Sequence, residues 1–330
     1  MKKYLLVTAM VVMALAAART SRAAGLDIAE QSADGATAAC EVVTDTGGAT
    51  AQPPERSEVY SPFVDFKAKY EAWLAMVRHT HEKEQPDWMA PIVTLPATLQ
   101  QQLRSDYGLS SFKGNDTDTF MGKGVEIIPT ENTELLFGMP TWMTKDTAKG
   151  QIAGWADWMT IFKYRLLSSP SDAGNYVVTF LLSTSFDTGA YDITAGHDVV
   201  TPMLGFGKGF RTSIGEFDYQ ATVGPSIPGS GFSRFGTPVT WNNAFQYGNR
   251  FSMFGYEVPL WPEFEVSWVS YPNGLSSGQQ QVYLTPGINI GRFQIGEHVF
   301  LVVGAGYQFA ATSERAFDHQ WLVTMRVPYF

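Results

Sequence analysis

The side chains able to do chemistry in this sequence are five histidines and a recurrent set of charges. His79, His81, His197, His298 and His319 are spread along the chain, whereas nucleophilic catalysis or metal binding needs several groups converging on one point. His79-x-His81 falls at the end of a helical stretch, where residues two apart do not face a common point, so a solvated terminus is the reading. His197-Asp198 and Asp318-His319 fall at strand starts with no Gly-x-Ser-x-Gly turn, which makes them loop polar groups rather than halves of a triad. No catalytic residue, metal, nucleotide or cofactor is expected, and the chain reads as a non-enzyme, with a barrel esterase or phospholipase as the enzymatic alternative. The charges are more orderly. Asp157, Lys163, Arg165, Asp218, Glu263, Glu265 and Arg326 are candidates to line a channel, hydrated if it is open and paired with one another if it is closed.

Their order comes from the elements that carry them. After about residue 98 the hydrophobic pattern has period two, which alternates side chains across a strand. Trp158, Phe162, Tyr164 and Leu166 oppose Asp157, Lys163 and Arg165. Tyr176, Val178, Phe180, Leu182 and Phe186 oppose Thr179, Ser183, Ser185 and Asp187, and Leu260, Phe264, Val266 and Trp268 oppose Glu263, Glu265 and Ser267. Most segments run to the nine to eleven or so residues that a tilted membrane-spanning strand needs. Trp142, Trp155, Trp241, Trp261, Tyr271 and Trp321 fall near segment ends, as interfacial girdles require.

Twelve strands are predicted, at 98–108, 121–129, 133–143, 154–167, 175–187, 198–210, 214–224, 238–248, 260–270, 279–291, 298–310 and 318–330. The expected fold class is all-β: a transmembrane antiparallel β-barrel of about 12 strands with a short N-terminal helical extension. In this register Lys208 falls on the apolar face, through either a bulge or snorkelling. Phe330 follows Trp321, Val323, Met325, Val327 and Tyr329 but is out of phase with them, behind Pro328.

Composition agrees with an export route. Aromatic residues make up 14% and charged residues 17%, and no internal run approaches the roughly 18 apolar residues of a spanning helix. Met1-Lys2-Lys3, the apolar stretch to Ala18 and Ser21-Arg22-Ala23 form a signal peptide over residues 1–23. Its removal takes away Lys2, Lys3, Arg19 and Arg22 and no acid, so the formal charge falls from −9 to −13, a poor match to nucleic acid. The single cysteine, Cys40, excludes an intramolecular disulfide. Residues 24–58 are Ala-, Gly- and Thr-rich and read as a disordered periplasmic leader. Residues 59–97 read as an amphipathic helix and linker, a possible plug. Within them Ser61-Pro62 starts a helix over 62–83, with Phe63, Phe66, Tyr70, Trp73, Leu74 and Val77 on one face. It could fill a lumen, lie against the barrel rim or rest on the inner leaflet.

One stretch resembles a known family. Gly154-Trp155-Ala156-Asp157-Trp158, Phe162-Lys163-Tyr164-Arg165-Leu166-Leu167, Phe186-Asp187-Thr188-Gly189, Thr201-Pro202 and Gly205-Phe206-Gly207-Lys208-Gly209 are similar to the outer-membrane family named for the meta pathway of phenol degradation. Asp187 stands where that family usually has proline. The resemblance covers residues 120–330. It implies a bacterial outer-membrane barrel that moves small, often aromatic or hydrophobic, solutes, with membrane lipid and the barrel-insertion machinery as its other partners. A non-conducting structural barrel and a secreted soluble β-sandwich binding module are the alternatives.

Overall fold

The computed structural model describes residues 62–253 and 256–330; the expected signal peptide, leader and Cys40 lie outside them. Helix α1 (Pro62–His79) runs into one π-helical turn (Thr80–Glu84). An irregular stretch then leads to β1 (Gln102–Phe112), β2 (Asn115–Thr130), β3 (Thr133–Phe137), β4 (Trp142–Thr147) and β5 (Gly150–Trp155). They are followed by β6 (Trp158–Ser169), β7 (Tyr176–Phe186), β8 (Val199–Thr212), β9 (Gly215–Pro225) and the short β10 (Ile227–Pro228). The last are β11 (Val239–Met253), β12 (Tyr256–Ser270), β13 (Gln280–Gln294), β14 (Phe300–Ala310) and β15 (His319–Pro328).

Pairing is antiparallel between neighbours, and β1 closes the sheet by pairing with β2 on one side and β15 on the other. Two of the staves are broken. β3 and β4 both pair with β2, interrupted at residues 138–141 where Pro140 supplies no donor. β5 and β6 continue each other across Ala156 and Asp157, and backbone bonds from Gly138 to Met159 and from Ala156 to Thr141 bridge the two gaps at 2.9 and 2.8 Å. Counted as staves, the chain is a closed twelve-stranded barrel. The first stave begins at Gln102, four residues later than its period-two pattern suggests, because residues 98–101 still belong to the irregular stretch.

The barrel is apolar outside and polar within. Phe264 and Trp268 stand outward at 42% and 36% exposure, while Glu263, Glu265 and Ser267 on the opposite face of the strand are buried. Near the end carrying the longer loops, Trp142 meets Trp155, Trp158 meets Phe186 and Trp241 meets Trp268. Near the opposite end Tyr164, Tyr176, Phe210, Phe217 and Phe251 are outward. From Trp241 to Phe251, ten residues of tilted strand rise about 25 Å, the height of the apolar band of a spanning barrel. Lys208 faces outward with no register shift in β8; its Nζ donates to the Gly174 carbonyl at 2.5 Å, the snorkelling alternative.

α1 lies on the rim at the short-turn end. Val77 packs with Leu99 and Ile128, joined by Trp73, Met76 and Phe330, and Trp73 Nε1 donates to the Ile128 carbonyl at 2.8 Å. Phe66 and Tyr70 on the same helix stay exposed. Phe330 thus turns in beneath the helix. No helix of the described residues is long and apolar enough to cross a membrane.

Candidate functional site

Residues 86–101 carry no helix or strand, yet most of them are buried. Buried irregular backbone must find hydrogen-bond partners outside itself. Here the barrel wall supplies them. Glu265 accepts the Val93 and Thr94 amides at 2.7 and 2.6 Å, and Glu263 accepts the Ile92 amide at 3.1 Å. Arg104 donates to the Pro91 and Ile92 carbonyls at 3.3 and 2.5 Å, and Arg326 to the carbonyls of Ala90 and Pro91. Glutamates thus meet the amides and arginines the carbonyls, the polarity each backbone group requires.

The same logic extends along the segment. Gln220 Nε2 donates to the Met89 carbonyl at 2.9 Å, Thr179 to Ala97 at 2.5 Å and Lys163 to Thr98 at 3.4 Å. Glu134 accepts the Gln100 amide at 2.6 Å and pairs with Lys163 at 3.0 Å. The Gln85 side chain bonds both backbone groups of Leu99 at 2.9 Å, which pins the start of the segment to its end.

Packing follows polarity. Leu95 sits on an inward apolar patch of Leu136, Ile161 and Leu181, and Trp88 packs with Ala97 and Val177. Trp88 lies close against β8 because that strand presents glycine inward. A Cβ on Gly207 would stand 2.5 Å from Cζ3 of the Trp88 ring. Trp88 Nε1 donates to Asn175 at 2.9 Å. Residues 86–101 are therefore a strap folded into the barrel lumen, entering and leaving at the α1 end.

Six of the seven candidate residues from the sequence are buried: Lys163, Arg165, Asp218, Glu263, Glu265 and Arg326. Glu263, Glu265, Arg326 and Lys163 touch the strap directly. Asp218 holds Gln220 at 3.1 Å behind it, and Arg165 lies near the rim against Asn132 at 3.0 Å. Asp157 is elsewhere. In the gap between β5 and β6 it accepts the Gly189 and Ala195 amides and the Thr194 hydroxyl at 2.9, 2.9 and 2.7 Å, tying down the β7–β8 loop.

Alternation alone missed Arg104, Glu126 and Glu134, the inward Val177 and Leu181, and the strap itself. With them, among the described residues, the buried ionisable side chains of the wall number four basic (Arg104, Lys163, Arg165, Arg326) and five acidic (Glu126, Glu134, Asp218, Glu263, Glu265), a nearly balanced set. Among the described residues no three His, Cys, Asp or Glu side chains gather to hold a metal ion.

No family model and no curated protein matches the sequence. Solved structures do. The β domain of the Bordetella autotransporter BrkA aligns at 12% identity and a TM-score of 0.43, over 69% of this chain and 97% of that one. The NanC porin aligns at 8% and 0.40, over 69% and 99%, and the translocator domain of the autotransporter NalP from Neisseria meningitidis at 11% and 0.40, over 83% and 99%. At such scores they add nothing to what the strand pairing establishes.

Proposed function

We propose that the chain is a bacterial outer-membrane channel for a small solute, closed in this conformation by the strap of residues 86–101. The observation that carries the reading is the match between strap and wall, set inside a barrel with an apolar outer band. An eight-stranded barrel is filled by its own side chains, and barrels of sixteen or more strands leave an open lumen. Twelve staves enclose a lumen of intermediate width, and here a separate segment fills it.

A segment that is not a strand can leave without breaking the barrel ladder. Its departure would expose a lumen lined by Arg104, Lys163, Asp218, Glu263, Glu265 and Arg326, charges that water would solvate and that would then select the solute. Aromatic or hydrophobic compounds are the solute class implied by the family resemblance. Outer-membrane lipid would cover the Phe and Trp band, and the barrel-insertion machinery would read the last strand.

One observation favours a second reading, a non-conducting structural barrel: the strap is bonded at nearly every residue from Met89 to Thr94. Cell fractionation with heat-modifiable gel migration tests the membrane reading, and recovery in the soluble fraction would overturn it. Planar-bilayer recording then separates channel from scaffold.

A further inference from the structure

Strand β2 is irregular where its two halves change partner. Residues 117–120 pair with β4 and residues 125–130 with β3, and between them Met121, Lys123 and Gly124 have φ of 69°, 79° and 103°. Glycine adopts this left-handed backbone freely, whereas methionine and lysine do so at a cost.

The irregularity redirects one charge. In the β1–β2 register Lys123 stands opposite Ser105, on the face shared with the exposed Leu103, which is the lipid side. Yet its ammonium lies within electrostatic range of Arg104, Asp106, Glu126 and Arg326, and Arg104, Glu126 and Arg326 are buried in the lumen. The left-handed residues swing it inward. A lysine facing lipid is costly, but that cost does not account for the bent backbone, because an apolar residue at 123 would need no turn. Strain of this kind concentrates at functional sites.

Lys123 is not consumed by its neighbours. Asp106 pairs with Arg104 at 2.9 Å and Glu126 accepts from Gln102 at 3.1 Å, whereas Lys123 makes no hydrogen bond or ion pair among the described residues. The unpaired nitrogens of Gln101, Arg165 and Arg326 are shut off from solvent; that of Lys123, a partly exposed residue, is not. Solvent in the lumen reaches it.

The surrounding wall lies on the outer side of the strap. Arg104 holds the Pro91 and Ile92 carbonyls, and from there β1 runs through Asp106 and Gly108 toward the end carrying the longer loops. A Cβ on Gly108 would stand 2.5 Å from Gln320 Nε2 and 2.6 Å from Thr119 Oγ1, so both side chains lean across the wall there. The Gln320 amide is also partly exposed and makes no hydrogen bond among the described residues. Around Lys123, three positive charges (Arg104, Lys123, Arg326) stand against two negative ones (Asp106, Glu126).

We infer that Lys123 gives the outer vestibule a preference for anions: a small carboxylate entering from the loop end is held by its ammonium, past the Gln320 amide, before it meets the strap. This deepens the channel reading by naming the charge of the solute and rests on it, but occupancy of Lys123 needs no current.

The first test is acetylation of the full chain in detergent micelles by a water-soluble N-hydroxysuccinimide ester, read at Lys123 by peptide mass spectrometry. Lys123 should react, and benzoate should slow the reaction several-fold while benzamide, its uncharged isostere, does not; the exposed Lys149 is the internal control. The second is bilayer recording across a salt gradient. Lys123→Asn removes the charge but suits left-handed backbone, and should lower the anion-to-cation permeability ratio several-fold, whereas Lys123→Arg should keep it. An unreactive Lys123, equal slowing by the amide, or equal ratios in the two variants would overturn the inference. Protection by benzoate in a chain that never conducts would sink the channel alone; current without protection would sink this inference alone.

Discussion

The imidazole of His81 stacks on the ring of Phe330, centroids 4.6 Å apart and planes 17° from parallel. This contact joins the turn after α1 to the residues following β15, at the point where the strap enters the barrel. Burial pushes the His81 pKa down from 6.5 to about 4, with Asp87 opposing and Arg292 and Arg165 adding to the shift.

That shift sets a pH window. Above pH 6.5 neither the docked nor the undocked turn binds the proton; between 6.5 and about 4 only the undocked turn does, so docking weakens as pH falls through this range and no further below it. The full loss is about 3 kcal/mol. Hydrogen exchange across residues 76–90 should accelerate on acidification in the native chain. His81→Phe should flatten the response, and an unchanged profile in the variant would show that other groups control it.

Glu265 accepts two strap amides, and a neutral amide in its place presents one acceptor and one donor. Glu265→Gln should weaken strap seating by about 1.5–3 kcal/mol, raising the open fraction roughly tenfold to a hundredfold. Single-channel dwell times measure it. Identical closed times in the variant would mean that these bonds do not hold the strap.

Gly207→Ala places a methyl against the Trp88 ring at 2.5 Å, while Gly306→Ala meets its nearest neighbour, Thr285 Cγ2, at 3.2 Å. The first should displace the strap at a cost of about 2 kcal/mol and the second should be mild. Exchange protection of residues 86–97 reports the difference, and equal protection in the two variants would contradict the packing described.

Lys163 and Glu134 are both fully buried and lie 3.0 Å apart. Lys163→Met leaves the Glu134 carboxylate unpaired and should destabilise the barrel by about 3 kcal/mol in urea titration, and Lys163→Met with Glu134→Gln should recover most of the loss. Equal stability of the single and double variants would show that the pair is not coupled.

Alternation exposed the barrel in the sequence because a strand with one face in water and one in an apolar phase must repeat every second residue. It worked for β6, β12 and β15, where charge stands against aromatic side chains. It failed inside β7: Val177 and Leu181 face the lumen, apolar because Trp88, Ala97 and Leu95 pack there. Asp157 fits the same alternation on paper, yet the gap between β5 and β6 hands it to a loop. The strap was invisible to periodicity, since its backbone polar groups are matched by residues from distant strands. Gly205-Phe206-Gly207-Lys208-Gly209 held the signal that was missed: a strand offering glycine inward makes room for a foreign side chain.

Whether residues 86–101 close an otherwise conducting barrel is tested most directly by planar-bilayer current from the full chain and from an in-frame deletion of residues 62–97. The expected result is a full chain closed for most of the record and a deletion variant with sustained current. Equal current from both forms, or silence from both, would contradict closure by the strap.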